Sequence, residues 1–333
     1  MPKFNRALVS TAILSLVSVG GAIIYGLLAR YLFKDSLPVP DWFGVMTIGF
    51  LVGVPFAQGA LTMFLAPANL RTNWLYAIFA PWLSCGLFCV AVAVLAWEAW
   101  FCVVMALPIF LIISSIGGAV FCLIFAIRNR LSGPPAGLMV LVLLSPYILT
   151  PIENRIPTHD ELRRVETTTI VHADPRAIWL NIIRLPEIGE GERPVSLFHI
   201  AGLPRPMEAR LSNPGMGGFR YGQWEDGLAF AGTISDWRPD HGFTVLLKAD
   251  TSRVHSPLPL GEIGGKYFDM VDDSYVIEPR GDGTVALHLI STYRLSTHFN
   301  WYGHLWTDFL LRDIQHHILT VVKNRAESDF SSP

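Results

Sequence analysis

The solvent to which this chain is adapted changes once, near residue 150. From Arg6 to Thr150 the sequence is almost wholly Leu, Val, Ile, Phe, Ala and Gly, and its acidic residues are Asp35, Asp41 and Glu98. After Pro151 the composition becomes that of a water-soluble module. All ten histidines lie after the break and all four cysteines before it. Long apolar runs belong in lipid and mixed polar sequence in water, so a membrane region 1–151, a linker 152–163, a soluble domain 164–327 and a tail 328–333 are expected.

Charge follows the same division. Residues 1–150 carry seven Lys/Arg against three Asp/Glu, net +4, and residues 151–333 carry eighteen against twenty-four, net −6. A net negative soluble domain is a poor partner for nucleic acid, which demands a basic face. Cys85, Cys89, Cys102 and Cys122 sit inside apolar runs with no CxxC or Cys/His spacing, so they are expected as buried thiols.

Apolar segments 7–33, 42–66, 74–95 and 101–127 are each long enough to cross a bilayer core of about 30 Å, which takes about 20 helical residues. Pro55 is expected to kink the second. Trp74, Trp82, Trp97 and Trp100 fall near the segment ends, as interfacial tryptophans do. Segment 136–151 is shorter and contains Pro146, and is either a fifth span or a piece lying in the interface. Lys3, Arg6, Arg71, Arg128 and Arg130 mark the cytoplasmic side by the positive-inside rule. The soluble domain then faces the periplasm or exterior if 136–151 crosses, and the cytoplasm if it does not. No ionisable residue lies deep within a span, which argues against an ion-coupled transporter. Gly20-Gly21 and Gly117-Gly118 are expected at close helix contacts.

In the soluble half, Arg164–His172 alternates as a strand does. Asp174 and Pro175 supply an N-cap and first position for a helix carrying Ile178, Trp179, Ile182 and Ile183. A proline-rich stretch follows, and then Met207–Leu211, Gly218–Trp224, Leu228–Trp237, Phe243–Ala249, Tyr267–Glu278 and Thr284–Leu295 read as strands. Asp226-Gly227 and Asp282-Gly283 are turn signals between them. The end reads as one long helix over Asn300–Arg325, with apolar stripes through Leu310, Ile314, Ile318 and Val321 and through Tyr302, Trp306 and Phe309. A curved antiparallel sheet around a long helix leaves space between two apolar layers.

Particular residues within that order carry a resemblance. Val171-His172-Ala173-Asp174-Pro175 with Trp179 is followed by Gly218-Phe219-Arg220-Tyr221-Gly222, Ile234-Ser235-Asp236-Trp237-Arg238-Pro239 and Gly264-Gly265-Lys266-Tyr267-Phe268-Asp269, and the last helix ends at Ile318–Glu327. Over about residues 160–327 this resembles the START-like helix-grip superfamily (SRPBCC, polyketide cyclase/dehydrase and lipid-transport proteins). The membrane half lies outside that pattern, and the combination looks like a group of bacterial membrane proteins. The resemblance implies an α+β helix-grip domain with a cavity for a hydrophobic molecule, joined to an α-helical transmembrane bundle of four or five spans in a bacterial inner membrane. It does not imply one reaction.

Several side chains are candidates for chemistry. His304 and Asp308 are i,i+4 neighbours on the last helix, as are Asp308 and Arg312. A His–Asp pair orients an imidazole for proton transfer, and the competing reading is a pair at the helix surface. Asp313 and His317 repeat the spacing and look more like a solvated face. His199 is a further acid–base candidate. Trp179, Glu192, Arg220, Trp224, Tyr267, Trp301, Leu305 and Arg312 are expected to line the ligand cavity. Arg220, if it points inward, needs a carboxylate or an anionic head group, and Glu192 is the expected partner. Loops Leu203–Pro206 and Val254–Gly264 either gate the entry or are rigid connectors. His316 and His317 are adjacent on a helix and point apart, so no metal site is expected. No cofactor is expected either, since phosphate-loop, dinucleotide and HExxH signatures are absent. Three readings remain open: a membrane-tethered domain that binds or shuttles a lipid or an isoprenoid- or polyketide-like molecule, a membrane-bound cyclase, dehydratase or hydrolase, and a sensor or assembly protein. The oligomeric state is not legible.

Overall fold

The computed structural model describes residues 2–33, 46–98, 100–128, 136–192, 196, 199, 203–255 and 263–331. The start of the second expected span (42–45), Lys34, Arg130 and residues 256–262 of the expected gate loop lie outside the described residues. The chain forms two compact units, Met1–Pro157 and Thr158–Pro333.

The first unit is helical: α1 (Pro2–Leu32), a π-turn over Gly49–Gly53 leading into α2 (Val54–Phe64), α3 (Trp74–Val94), α4 (Trp100–Arg128) and α5 (Ala136–Glu153). By length and composition four of these, α1, α3, α4 and α5, are able to cross a membrane, while Gly49–Phe64 is a shorter apolar helix. The second expected span is therefore trimmed. Its N-terminus is held by the neighbouring helix: the Glu153 carboxylate accepts from the amides of Ile48 (2.8 Å) and Gly49 (3.2 Å). This satisfies two of the donors that a helix start leaves open and places negative charge at the positive end of the helix dipole. Pro55 follows directly on the π-turn inside the continuous helical stretch Gly49–Phe64, so the α-helical ladder is interrupted where its missing N–H was expected to kink the segment.

Small residues set the packing of this unit. A Cβ on Gly59 would overlap the Ser114 carbonyl, one on Gly117 the Phe56 carbonyl, and one on Gly118 the Ala77 carbonyl. The Gly117-Gly118 pair thus marks a close approach of α4 to α2 and α3, as expected. Gly20, by contrast, faces open space. Gln58 is buried and reaches the Ala22 carbonyl (3.2 Å), and Thr62 meets Ser84 (3.2 Å). Arg30 and Glu98 form an ion pair at 2.6 Å.

The second unit is a curved seven-stranded antiparallel sheet with a long C-terminal helix. Its elements are β1 (Glu161–Val171), α6 (Pro175–Ile183), β2 (Pro206–Leu211), β3 (Phe219–Trp224), β4 (Ala229–Arg238), β5 (Gly242–Asp250), β6 (Phe268–Pro279), β7 (Val285–Leu295) and α7 (Asn300–Ser331). The strand order is β1-β7-β6-β5-β4-β3-β2. Asp174 caps α6 by accepting from the Arg176 amide at 2.8 Å. The β3–β4 turn places both Asp226 (φ 56°) and Gly227 (φ 78°) in the left-handed region, the conformation that an Asp-Gly pair favours.

The sheet's inner face follows the two-residue period. On β7 it is Val285, Leu287, Leu289, Ser291, Tyr293 and Leu295, all buried. Helix α7 meets this face with His304, Asp308, Leu311, Gln315, Leu319, Val322 and Ala326. Of the expected apolar stripes Val321 is buried, whereas Leu310, Ile314 and Ile318 are only partly buried and Phe309 is exposed. The reason is chemical. Three positions of the buried face are polar and are satisfied by sheet residues, so hydrophobicity alone points to the wrong side. His317, expected on a solvated face, is likewise buried.

Candidate functional site

One group of polar side chains joins α7 to β7 and β1. Arg163 on β1 lies opposite Tyr293 on β7. The Tyr293 hydroxyl lies 2.8 Å from His304 Nδ1 and donates to Asp308 Oδ1 at 2.6 Å. His304 Nε2 lies 2.9 Å from Glu161 Oε2, and Arg163 Nη2 lies 3.0 Å from Asp308 Oδ2. Glu161 and Arg163 share one face of β1 because side chains alternate along a strand. The hydroxyl donates to Asp308, and the two ring nitrogens of His304 face Tyr293 and Glu161, so one imidazole links both. Hydrogen bonds from His304 and Asn300 hold the Glu161 carboxyl below its usual range. Burial and the Asp308 carboxylate push the Tyr293 phenol well above its usual range.

His304 and Asp308 were legible from their spacing, and the structure brings them together through Tyr293. Glu161, Arg163 and Tyr293 were missed. The available signal was a tyrosine at an inward position of a strand, whose buried hydroxyl requires partners. His199 belongs to another group: its Nδ1 lies 3.9 Å from Glu225 Oε2, and its amide donates to Ser196 Oγ at 3.4 Å.

A second polar layer crosses the inside of the grip. The Asp273 carboxylate on β6 accepts from Ser291 Oγ at 2.5 Å. Gln315 Nε2 on α7 donates to Ser291 Oγ (2.9 Å) and to the Val165 carbonyl (3.1 Å), and Thr167 donates to Gln315 Oε1 at 2.7 Å. Burial pushes the Asp273 carboxyl up to about 6, against the opposing pull of the Ser291 hydrogen bond and the Arg220 charge.

Arg220 points inward, and its expected partner is corrected. Its Nη1 donates to the Ile182 carbonyl at 2.7 Å, and its guanidinium lies over the rings of Phe243 (4.9 Å) and Tyr275 (5.4 Å). Glu192 pairs instead with Arg325 on α7 at 2.7 and 2.8 Å and accepts from the Gly189 amide at 2.9 Å. The tight turn Glu190–Glu192 faces that carboxylate toward the end of α7, and aromatic rings with a backbone carbonyl take its place around Arg220. These contacts hold the Glu192 carboxyl down at about 2.

The expected cavity residues divide among three places. Trp179 is packed in the core against Trp237 (4.7 Å) and Phe243 (6.1 Å), where it fills space. Trp224 and Tyr267 are partly buried at strand ends, Trp224 against Phe230 (5.7 Å) and Tyr267 beneath the Lys266 ammonium (5.2 Å). Trp301, Leu305 and Arg312 are exposed on the outer side of α7. There they border an open cleft of about 360 Å³ with Arg163, Asp308 and Phe309. The i,i+4 step from Trp301 to Leu305 runs along the flank beside the buried face, and both side chains are exposed rather than enclosed between helix and sheet.

The inner surface has a different apolar lining. Val165, Met270, Tyr293, Leu295 and Leu311 form a buried cluster between sheet and helix, and partly exposed Phe230, Leu247, Phe268 and Ile314 pack against it. Among the described residues no group of three His, Cys, Asp or Glu side chains is placed to hold a metal ion.

No family model matches the chain, and a comparison with curated proteins finds no match. Solved structures similar to it include ginseng major latex-like protein 151 from Panax ginseng, at 9% identity over 51% of this chain and 98% of that one, with a TM-score of 0.31. Truncated norcoclaurine synthase from Thalictrum flavum is similar at 11% identity over 54% and 98%, also with a TM-score of 0.31. DynU16, a protein of the dynemicin biosynthetic locus, is similar at 11% identity over 50% and 48%, with a TM-score of 0.30. At these values the description of the fold rests on the chain's own strand order and long helix.

Proposed function

We propose that the second unit takes up a hydrophobic molecule between its sheet and α7, and that the apolar helices of the first unit hold it at a membrane. The observation that carries this is an apolar lining between sheet and helix that stays partly exposed. Phe230, Leu247, Phe268 and Ile314 remain partly exposed although they pack against the inner cluster. The buried polar layer around Asp273 and Ser291 would meet the single polar group of a lipid, isoprenoid or polyketide-like ligand. Burying about 400 Å² of acyl chain at roughly 25 cal/mol per Å² gains on the order of 10 kcal/mol before the entropy of association is subtracted.

The test is native mass spectrometry with lipid extraction on the detergent-purified full chain. A specific ligand retained at fixed stoichiometry is the expected result. A variable load of bulk phospholipid alone overturns the binding reading and moves the weight to a partner-binding role.

An acid–base enzyme is the second reading, favoured by one observation: the Tyr293 phenol lies between His304 and Asp308. Against it, each of these groups already has a protein partner, which suits a fixed joint between α7 and the sheet. Tyr293→Phe separates the two, since a joint loses stability and keeps ligand retention, whereas a catalytic phenol loses turnover at unchanged stability.

A further inference from the structure

One solvent-facing flank of α7 carries large apolar groups that no described residue covers. Trp301, Leu305 and Phe309 are 72%, 63% and 46% exposed. They recur every four residues, so they form one stripe along the helix. The stripe borders the 360 Å³ cleft whose polar edge is Arg163, Asp308 and Arg312. Half of the Arg163 side chain is open to solvent, and Arg312 is exposed. Tryptophan beside leucine and phenylalanine, with arginines at the margin, is the composition of a surface at the head-group level of a bilayer.

The position of the stripe in the chain supports the same occupant. Helix α5 ends at Glu153 and β1 begins at Glu161. The seven residues between them span at most about 25 Å when fully extended. The start of α7 is fastened to the arriving segment: Asn300 Nδ2 donates to the His159 carbonyl at 3.0 Å, and His304 meets Glu161. Trp301 is the next residue after Asn300. The exposed stripe therefore begins where the chain arrives from its last apolar helix.

We propose that the Trp301–Leu305–Phe309 face of α7 docks on the surface of a phospholipid bilayer, with lipid phosphates at Arg163 and Arg312. This rests on the reading that the apolar helices span that membrane. The domain as a whole is net negative, so docking depends on apolar insertion and on this local pair of arginines. The contact lies outside the grip, so it orients the domain without occupying its interior.

The full chain in nanodiscs of phosphatidylcholine with a minority of phosphatidylglycerol tests this. An environment-sensitive fluorophore is placed at Leu305→Cys, at Leu246→Cys on the outer face of β5 and at Leu83→Cys on α3, and labelling of the parent protein is subtracted. A lipid carrying a nitroxide near the glycerol end of its acyl chain is the quencher. The expected result is strong quenching at 305 and 83, at least about twofold above that at 246. Quenching at 83 with none at 305 overturns docking while leaving the membrane reading intact. A 305 fluorophore that is shielded but unquenched, and self-quenches between labelled copies, overturns it in favour of a second copy of the chain. Absence of quenching at 83 removes the membrane reading and docking with it. Phe309→Cys repeats the measurement should Leu305→Cys fail to fold, as judged by circular dichroism.

Discussion

The Tyr293 hydroxyl donates a hydrogen bond to Asp308 Oδ1 across 2.6 Å, and this contact ties the last strand of the sheet to the first turns of the helix that follows it. Both residues are buried, with Tyr293 fully enclosed. Removing the hydroxyl in Tyr293→Phe leaves His304 Nδ1 and Asp308 each short of a partner. A buried unsatisfied polar group costs about 1–3 kcal/mol. Urea unfolding of the second unit's transition should show a loss of that order, and an unchanged midpoint would mean that the joint contributes nothing.

Asp273 gives the domain a pH dependence of opposite sign to an ordinary carboxylate. Its carboxyl is raised from 3.8 to about 6. A raised acid favours the folded state fully below its unfolded value, and that contribution is lost as pH rises through about 6. Asp273→Asn keeps a partner for Ser291 without the charge. It should raise stability at pH 8 by on the order of 1–2 kcal/mol, allowing for the partial exposure of the site, and should flatten the decline between pH 4 and 6. Melting curves across that range check it.

Arg220 acts on the same carboxyl, since its charge lowers the Asp273 value. Arg220→Met conserves much of the side-chain volume between Phe243 and Tyr275. The pH at which Asp273 ionises should then move above about 6. Carboxyl chemical shifts from nuclear magnetic resonance read this directly, and a downward movement would contradict the assignment.

Glu192 behaves conventionally. Its carboxyl is lowered to about 2 by Arg325 and the Gly189 amide. A lowered acid stabilises the fold above its unfolded value of 4.5 and loses that effect as pH falls toward 2. The pair is partly open to solvent, so the effect is small. Glu192→Gln should slightly lower stability above pH 4.5 and converge with the parent protein as pH falls toward 2, so that melting curves across that range show a shallower acid decline.

In the first unit, Gly117→Val places a side chain where the Phe56 carbonyl lies. Helices α2 and α4 must separate to admit it. Thermal aggregation of the detergent-solubilised chain should set in earlier than for Gly20→Val, whose site is open.

How much of this was legible in the sequence depended on the kind of signal. Strand positions followed from two-residue alternation and turn chemistry. Asp226-Gly227 adopts the positive φ values its residue types favour, and Asp174-Pro175 starts α6. The burial of α7 was harder to read because His304, Asp308 and Gln315 lie on its inner face, where a hydrophobic pattern is blind to side chains that bring their own partners. The Arg220–Glu192 pairing failed for a related reason. A guanidinium can be settled by rings and a backbone carbonyl, and no acidic residue in the sequence announces that arrangement.

The sheet order carries a consequence for the birth of the protein. Strand β1, the first element after α5, pairs among the described residues with β7 alone, so Glu161 waits for Leu295 and Val171 for Val285. During synthesis the nascent β1 must remain without its ladder until almost the entire domain has left the ribosome. Late closure of distant contacts slows folding and exposes edges to stray pairing. Glu161, Arg163, Arg164 and Glu166 spread charge along the waiting strand, which is how a vulnerable edge is kept from joining the wrong neighbour.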